Sequence, residues 1–408
     1  MAGSIRQRGK ESWELRVFVG RDPATDKKQY LTKTFRGTRR DAERELARLV
    51  VQADDGQVAV RGGTLAELCE QWYAHREADW SPATAYNYRK ILDRRIIPRF
   101  GSTQLRKLRT VEIDAWYADL RKQGGKGGRP LDADTVKRIH NVLHVALKQG
   151  VRWGFLTVNP SDNATQPRAT KHEAVLPEPA DVLHLVETSA KVNYALPYFL
   201  RLAAVTGARR GELCGLQWKH VDQKRRQLTI TRSILQLPGT PLIEKDTKSH
   251  ASRRIGLDGR TLALLTELRQ KQADRAASFE ATIKDDGYVF SHEIDASKPW
   301  KPGYATLAFG RLAKQLDLTG VRLHDLRHFV ATLMLSNGQD VRTVSGRLGH
   351  ANAATTLSVY AHFVDAADHK AADWLGGLLD QAAGDESEEG GRGDESRDVG
   401  RSSAGDRR

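Results

Sequence analysis

The chain has 408 residues, with 65 Lys+Arg against 51 Asp+Glu, a formal charge of +14 and a pI of about 9.7, a balance suited to a partner built of phosphates. Its length gives room for about two or three domains, and 39% hydrophobic residues suffice for ordinary cores. No run of about eighteen apolar residues occurs and the Met1-Ala2-Gly3-Ser4-Ile5-Arg6 start lacks the apolar core of a secretory signal, so a soluble, intracellular protein is expected; Cys69 and Cys214 are the only cysteines, which excludes disulfide frameworks and cysteine-based zinc sites.

Trp13, Leu15, Val17 and Val19 alternate with Glu14, Arg16 and Phe18, the period of a strand with one apolar face. Asp22-Pro23-Ala24-Thr25-Asp26 turns the chain, and Gln29 to Phe35 reads as the return strand. A helix follows from about Thr38, with Ala42, Leu46, Leu49 and Val50 on one side and Arg39, Arg40, Arg44 and Arg48 on the other. Thr64 can cap a helix containing Leu65, Leu68, Cys69, Trp72 and Tyr73, and Ser81-Pro82 opens another through Tyr86, Tyr88, Ile91, Leu92 and Ile96. Two more helical patterns, Val111 to Lys122 and Asp132 to Phe155, flank the flexible basic loop Gly124 to Pro130. The spacing therefore predicts a small basic sheet-plus-helix module at 1–62 and an all-α domain at 63–156. Residues 157–174, with Pro160, Pro167, Arg168 and Lys171 and no apolar periodicity, read as a linker.

A last domain at 175–381 reads as mostly helical with one strand cluster. Leu228, Ile230 and Ile234 to Leu237 suggest a strand, Pro238-Gly239 a turn, and Leu242 to Glu244 and Arg254 to Leu257 its partners. Thr206-Gly207 is a glycine-capped break before a helix bearing Arg209 and Glu212 on one side. Leu323, Leu326, Val330 and Leu333 form an apolar stripe that leaves His324 and Arg327 on an adjacent face. Val341 to Leu348 is a helix stopped by Gly349, which delivers His350 to its end, and Tyr360 rides on the next helix. From 382 onward Asp, Glu, Gly, Ser and Arg leave nothing to bury, so a disordered tail is expected. Its eight acids and five arginines between Asp385 and Arg408 make the rest of the chain more basic than the whole-chain charge suggests.

Arg209, a hairpin lysine, His324 and Arg327, His350 and Tyr360, in this order, resemble the catalytic domain of the tyrosine recombinases, the phage-type integrases. The resemblance covers roughly Val175 to Trp374; more weakly, 63–156 resembles that family's core-site-binding domain and 1–62 its arm-site-binding module. It implies a multidomain, mainly α fold and strand transfer through a 3′-phosphotyrosine on Tyr360, with no cofactor and no metal. Arg209 and Arg327 would clamp the non-bridging oxygens bidentately. His324 and His350 would bond the phosphate and assist proton movement, and Glu212 would support an arginine or histidine without touching DNA. The leaving 5′ oxygen needs a proton, and the resemblance assigns it to Lys248 of Lys248-Ser249-His250-Ala251-Ser252-Arg253-Arg254-Ile255, with Lys245 as alternative. Gly256 stands where that family commonly has proline, which loosens this register. The implied partners are double-stranded DNA attachment sites, three further copies of the chain in a tetrameric synapse, an excision factor and a DNA-bending protein, in a bacterial cytoplasm. A type IB topoisomerase and a DNA-binding protein that has lost catalysis remain alternatives.

Overall fold

A computed structural model of the chain describes residues 3–21, 28–54, 63–168, 175–246, 252–349 and 372–380, and divides into two compact units, 1–172 and 173–408. The first unit begins with an antiparallel sheet in the order β1 (Gly3–Gly9), β2 (Ser12–Arg21), β3 (Lys28–Arg36), followed by α1 (Arg39–Asp54). The period-2 pattern of β2 turns Leu15 and Val17 inward, where both are fully buried with Ala42 and Leu49 of α1. β1 was not foreseen because Ile5 is its only apolar side chain; it is an exposed edge strand paired with β2 alone. The expected turn at 22–26 lies outside the described residues.

A helical bundle with its own core follows. Thr64 caps α2 (Leu65–Arg76) by a reciprocal box: its hydroxyl accepts from the Glu67 N–H at 3.3 Å, and the Glu67 carboxylate accepts from the Thr64 N–H at 2.9 Å. Ser81 caps α3 (Pro82–Ile91), with Pro82 in the first helical position where its missing N–H costs nothing. Pro98 cannot donate to Arg94, and the backbone widens just before it into a π turn at Leu92–Ile96, the Ile97 N–H bonding the Leu92 carbonyl, before α4 (Ile97–Phe100). α5 (Thr110–Gln123) contributes Ile113, Trp116 and Leu120 to the core, and α6 (Ala133–Arg152), capped by Asp132, contributes Val136, Ile139, Leu143 and Leu147. Each such side chain stabilises the bundle by about 1.5–3 kcal/mol.

The expected linker differs in its first part. Residues 157–168 run along this bundle: Asn159, Ser161 and Ala164 are buried, the Thr110 hydroxyl donates to the Pro160 carbonyl at 2.7 Å, and Asp114 accepts from the Thr165 N–H at 2.7 Å. Polar bonds hold this stretch where apolar periodicity is missing, so a hydrophobicity pattern could not reveal it. Residues 169–174 lie outside the described residues.

The second unit contains α7 (Pro179–Ser189), α8 (Leu196–Thr206) and α9 (Arg210–Cys214). Next come β4 (Val221–Asp222), β5 (Gln227–Ile230), β6 (Arg232–Leu235), β7 (Ile243–Asp246) and β8 (Arg253–Gly256). These form two small antiparallel sheets, β4-β5-β8 and the β6-β7 hairpin; the one strand expected over Leu228 to Leu237 is broken at Thr231 into β5 and β6, which lie in different sheets, and the two-residue β4 was not foreseen. The helices α10 (Gly259–Ala277), α11 (Pro302–Gln315), α12 (Asp325–Ser336), α13 (Val341–Leu348) and α14 (372–380) complete it. Phe199, Phe290, Phe309 and Trp300 are buried together with Ile230 and Ile255, so sheet and helices share one core. α12 starts at Asp325, two residues later than its apolar stripe, because Asp325 is buried against Arg322, whose side chain bonds it at 3.0 and 3.1 Å. On α14, Trp374, Leu375, Leu378 and Leu379 are exposed. The expected tail from 382 lies outside the described residues.

Candidate active site

Arg209 and Arg327 are referenced to one turn. α8 ends at Gly207, whose φ of 62° an L side chain adopts only with strain, and a Cβ there would run into Leu348 of α13, with Val330 of α12 in contact behind it. The turn starts α9 with Arg209 in the cap position; the Glu212 carboxylate accepts from the Arg209 N–H at 2.8 Å and from its Nη1 at 3.0 Å. Arg327, on α12 and 4% exposed, donates from Nη1 to the Gly207 carbonyl at 2.7 Å. Two guanidiniums far apart in sequence are thus placed by three consecutive residues.

His324 stands in the position just before α12 and packs edge-on against His328, ring centroids 5.1 Å apart. The side chain is exposed, yet the protein packed around it desolvates the charged ring, and the neighbouring His328 and Arg327 add positive charge, so its pKa is held down to about 4. At neutral pH it is an uncharged imidazole, able to bond a phosphate oxygen and to accept a proton. Burial also lowers the pKa of His328, whose side chain is half-buried, as expected of a packing residue.

Arg209, Arg327 and His324 line a cavity of about 550 Å³ together with Arg210, Lys245 and Arg322. Every ionisable group among its described lining residues is basic. Such a cavity repels divalent cations and attracts a phosphodiester. Lys245 reaches it from β7, where it pairs with Ser233 of β6.

Glu212 is 2% exposed. Burial alone would push its carboxyl up, but bonds from Arg253 and Arg209 more than offset that, and it titrates below its ordinary value. Arg253 binds both carboxylate oxygens, at 3.1 and 2.6 Å. Sequence reasoning missed this partner. The signal was available: Arg253 stands two residues before the buried Ile255 on β8, hence on the same inward face. Arg347 donates to the Val205 carbonyl at 2.7 and 3.2 Å and to the Gly256 carbonyl at 3.3 Å. α13 ends as its sequence indicates, at Gly349 with φ 67°. The structure thus brings Arg209, Glu212, His324 and Arg327 together; Lys248, His350 and Tyr360 lie outside the described residues.

Comparison with known proteins gives a consistent result. Residues 178–366 match the phage integrase family, and residues 64–121 match its N-terminal SAM-like domain. The ICEBs1 integrase of Bacillus subtilis is 25% identical over 92% of this chain and all of its own length, and a putative prophage phiRv2 integrase of Mycobacterium tuberculosis is 24% identical over 83% and 85%. Among solved structures, the Tn1549 transposon integrase in complex with transposon right end DNA is 19% identical with a TM-score of 0.65, covering 76% of this chain and all of that one. A lambda integrase tetramer bound to a Holliday junction is 18% identical with a TM-score of 0.54 over 85% and 95%. At these identities the solved structures establish the fold.

Proposed function

Because this chain belongs to the phage integrase family, we propose that its basic cavity is the strand-transfer site of a tyrosine-type recombinase, with the residue roles set out below. The protein is a site-specific DNA recombinase that cuts and rejoins strands through a 3′-phosphotyrosine and so moves a mobile element. The observation that carries the site assignment is the placement of Arg209 and Arg327 by one turn, on an all-basic cavity that His324 also lines.

Tyr360 supplies the nucleophile. Its phenolic oxygen bonds to phosphorus while the phosphorus–5′ oxygen bond breaks; the phenol's proton passes to a neighbouring base, and Lys248 protonates the departing oxygen. The phosphodiester energy is conserved in the new ester, so rejoining is the same step reversed. Charge on the two non-bridging oxygens is met by the forked donors of Arg209 and Arg327, and one such arginine contributes on the order of a thousandfold in comparable phosphoryl transfers. His324, uncharged before DNA binds, gains basicity beside the phosphate, and His350 follows directly on the α13 cap.

The partner is double-stranded DNA. Residues 63–156 would grip the core site, and the outer face of the N-terminal sheet, with Arg6 and with Arg16 stacked 3.9 Å over the Tyr30 ring, would bind a second site. α14 offers its exposed apolar side chains to a neighbouring protomer of a tetrameric synapse, and an excision factor and a DNA-bending protein would set direction. The test is trapping on a nicked duplex carrying the element's own attachment site. Wild type should give a covalent protein–DNA adduct and Tyr360→Phe none; an adduct that persists in Tyr360→Phe refutes the assignment.

A further inference from the structure

We propose that Arg253 is a positioning residue of the strand-transfer site: through Glu212 it leaves the Arg209 guanidinium charged toward the cavity, and through the Arg347 carbonyl it fixes the helix end from which His350 follows. The proposal rests on the functional reading above. The buried Glu212 carboxylate accepts four: Oε1 takes Arg209 Nη1 at 3.0 Å and Arg253 Nη1 at 3.1 Å, while Oε2 takes the Arg209 N–H at 2.8 Å and Arg253 Nη2 at 2.6 Å. Both oxygens are fully used, and one acid is shared between two guanidiniums.

The two arginines divide the work by exposure. The Arg209 side chain is 33% exposed and lines the cavity; that of Arg253 is 11% exposed and does not. Without Arg253, Glu212 and Arg209 would form a neutral pair, and the site would lose the charge with which Arg209 meets phosphate. With it, the trio carries a net positive charge, and Arg253 is the member turned inward to balance the acid. A buried carboxylate left with one partner is costly, so the acid would draw Arg209 more closely to itself.

The same side chain reaches the opposite edge of the site. Arg253 Nε donates to the Arg347 carbonyl at 3.1 Å, and Arg209 Nη2 donates to the Gly349 carbonyl at 3.2 Å. Both arginines therefore hold the last turn of α13, directly before His350. Gly349 lets them do so: a Cβ at its φ of 67° would stand 2.8 Å from Arg253 Nη1 and 3.0 Å from its Cδ. Arg253 also lies five residues beyond Lys248 in the chain. One guanidinium thus links the strand that follows Lys248 in the chain, the carboxylate under Arg209 and the helix end before His350.

The experiment uses the full chain and single-turnover adduct formation on the nicked attachment-site duplex at saturating DNA, with DNA affinity measured in parallel. Arg253→Met should slow adduct formation roughly tenfold to a hundredfold, the usual cost of losing a residue that orients a reacting group, while affinity stays near wild type. Glu212→Gln combined with Arg253→Met should then be faster than Arg253→Met alone, since removing the stranded acid frees Arg209; a residue that served stability alone would give no such recovery. If Arg253→Met does not fold, Arg253→Lys, which keeps the charge but not the fork, is measured in its place alone and with Glu212→Gln. A single variant with the wild-type rate, or a double variant no faster than the single, overturns the proposal. Absence of a wild-type adduct, or its persistence in Tyr360→Phe, would instead bring down the functional reading beneath it.

Discussion

Gly207→Ala is the sharpest test of how the two cavity arginines are placed. The substitution puts a methyl group at φ 62°, in a conformation that costs a non-glycine residue about 1–3 kcal/mol. That methyl also points into Leu348, with Val330 behind it at 3.4 Å. Both neighbours are buried, so they cannot swing into solvent, and overpacking of this kind costs about 1–3 kcal/mol. The combined loss is about 2–6 kcal/mol, which in a unit of this size lowers the melting temperature by roughly 4–24 °C. The effect on chemistry should exceed the effect on stability, because the Gly207 carbonyl anchors Arg327 and Arg209 follows two residues on. A displacement of ~1 Å at a reacting group costs on the order of a hundredfold in rate. Calorimetry of the C-terminal unit's transition, with adduct formation measured well below it, separates the two. A variant that melts with wild type and cleaves at its rate would refute the account of this turn.

Lys248→Ala should slow cleavage by about a hundredfold to ten-thousandfold, the usual worth of a general acid, and a substrate whose leaving 5′ oxygen is replaced by sulfur should restore most of that rate. Lys245→Ala on the same substrate should show no rescue; the reverse pattern would transfer the role to Lys245. Stability should fall as pH drops from His324's unfolded value near 6.5 toward its folded value of about 4, because over that window the unfolded chain takes up a proton that the folded ring refuses. Glu212, whose folded pKa is lowered, adds to the same slope at the acid end. His324→Gln should flatten the upper part of the melting profile, and an unchanged slope between pH 6.5 and 4 would show that the ring is not shielded. Removing residues from Ala371 onward should abolish synaptic complexes while sparing single-site binding, and retained synapsis in a native gel would exclude α14 as the contact.

What the sequence makes legible are local agreements between residue type and backbone. Thr64 with Glu67, Ser81 with Pro82, Asp132, and Gly349 each mark a helix boundary, because a cap satisfies groups within its own turn. Leu15 and Val17 announce their strand because alternation is itself the geometry of a pleat. β1 offers no such pattern, and residues 157–168 are held by hydroxyl, amide and carboxylate bonds that hydrophobicity does not register.

The site divides in the same way. Arg209, Glu212, His324 and Arg327 were legible as residue types in a fixed order, whereas the bond from Arg327 to the Gly207 carbonyl spans 120 positions and has no period to betray it. Separations of 41 and 94 positions likewise hid the role of Arg253, which sequence order places near Lys248 and the fold places beside Glu212 and the end of α13. Its parity with Ile255 could have shown that it points inward, but not toward which acid. An inward-facing arginine on a strand whose neighbours are buried must find a carboxylate or carbonyls there, since an unpaired guanidinium in a core is prohibitive. Glu212 also carries the cavity-lining Arg209, and that shared acid makes a buried ion pair part of the chemistry as well as of the fold.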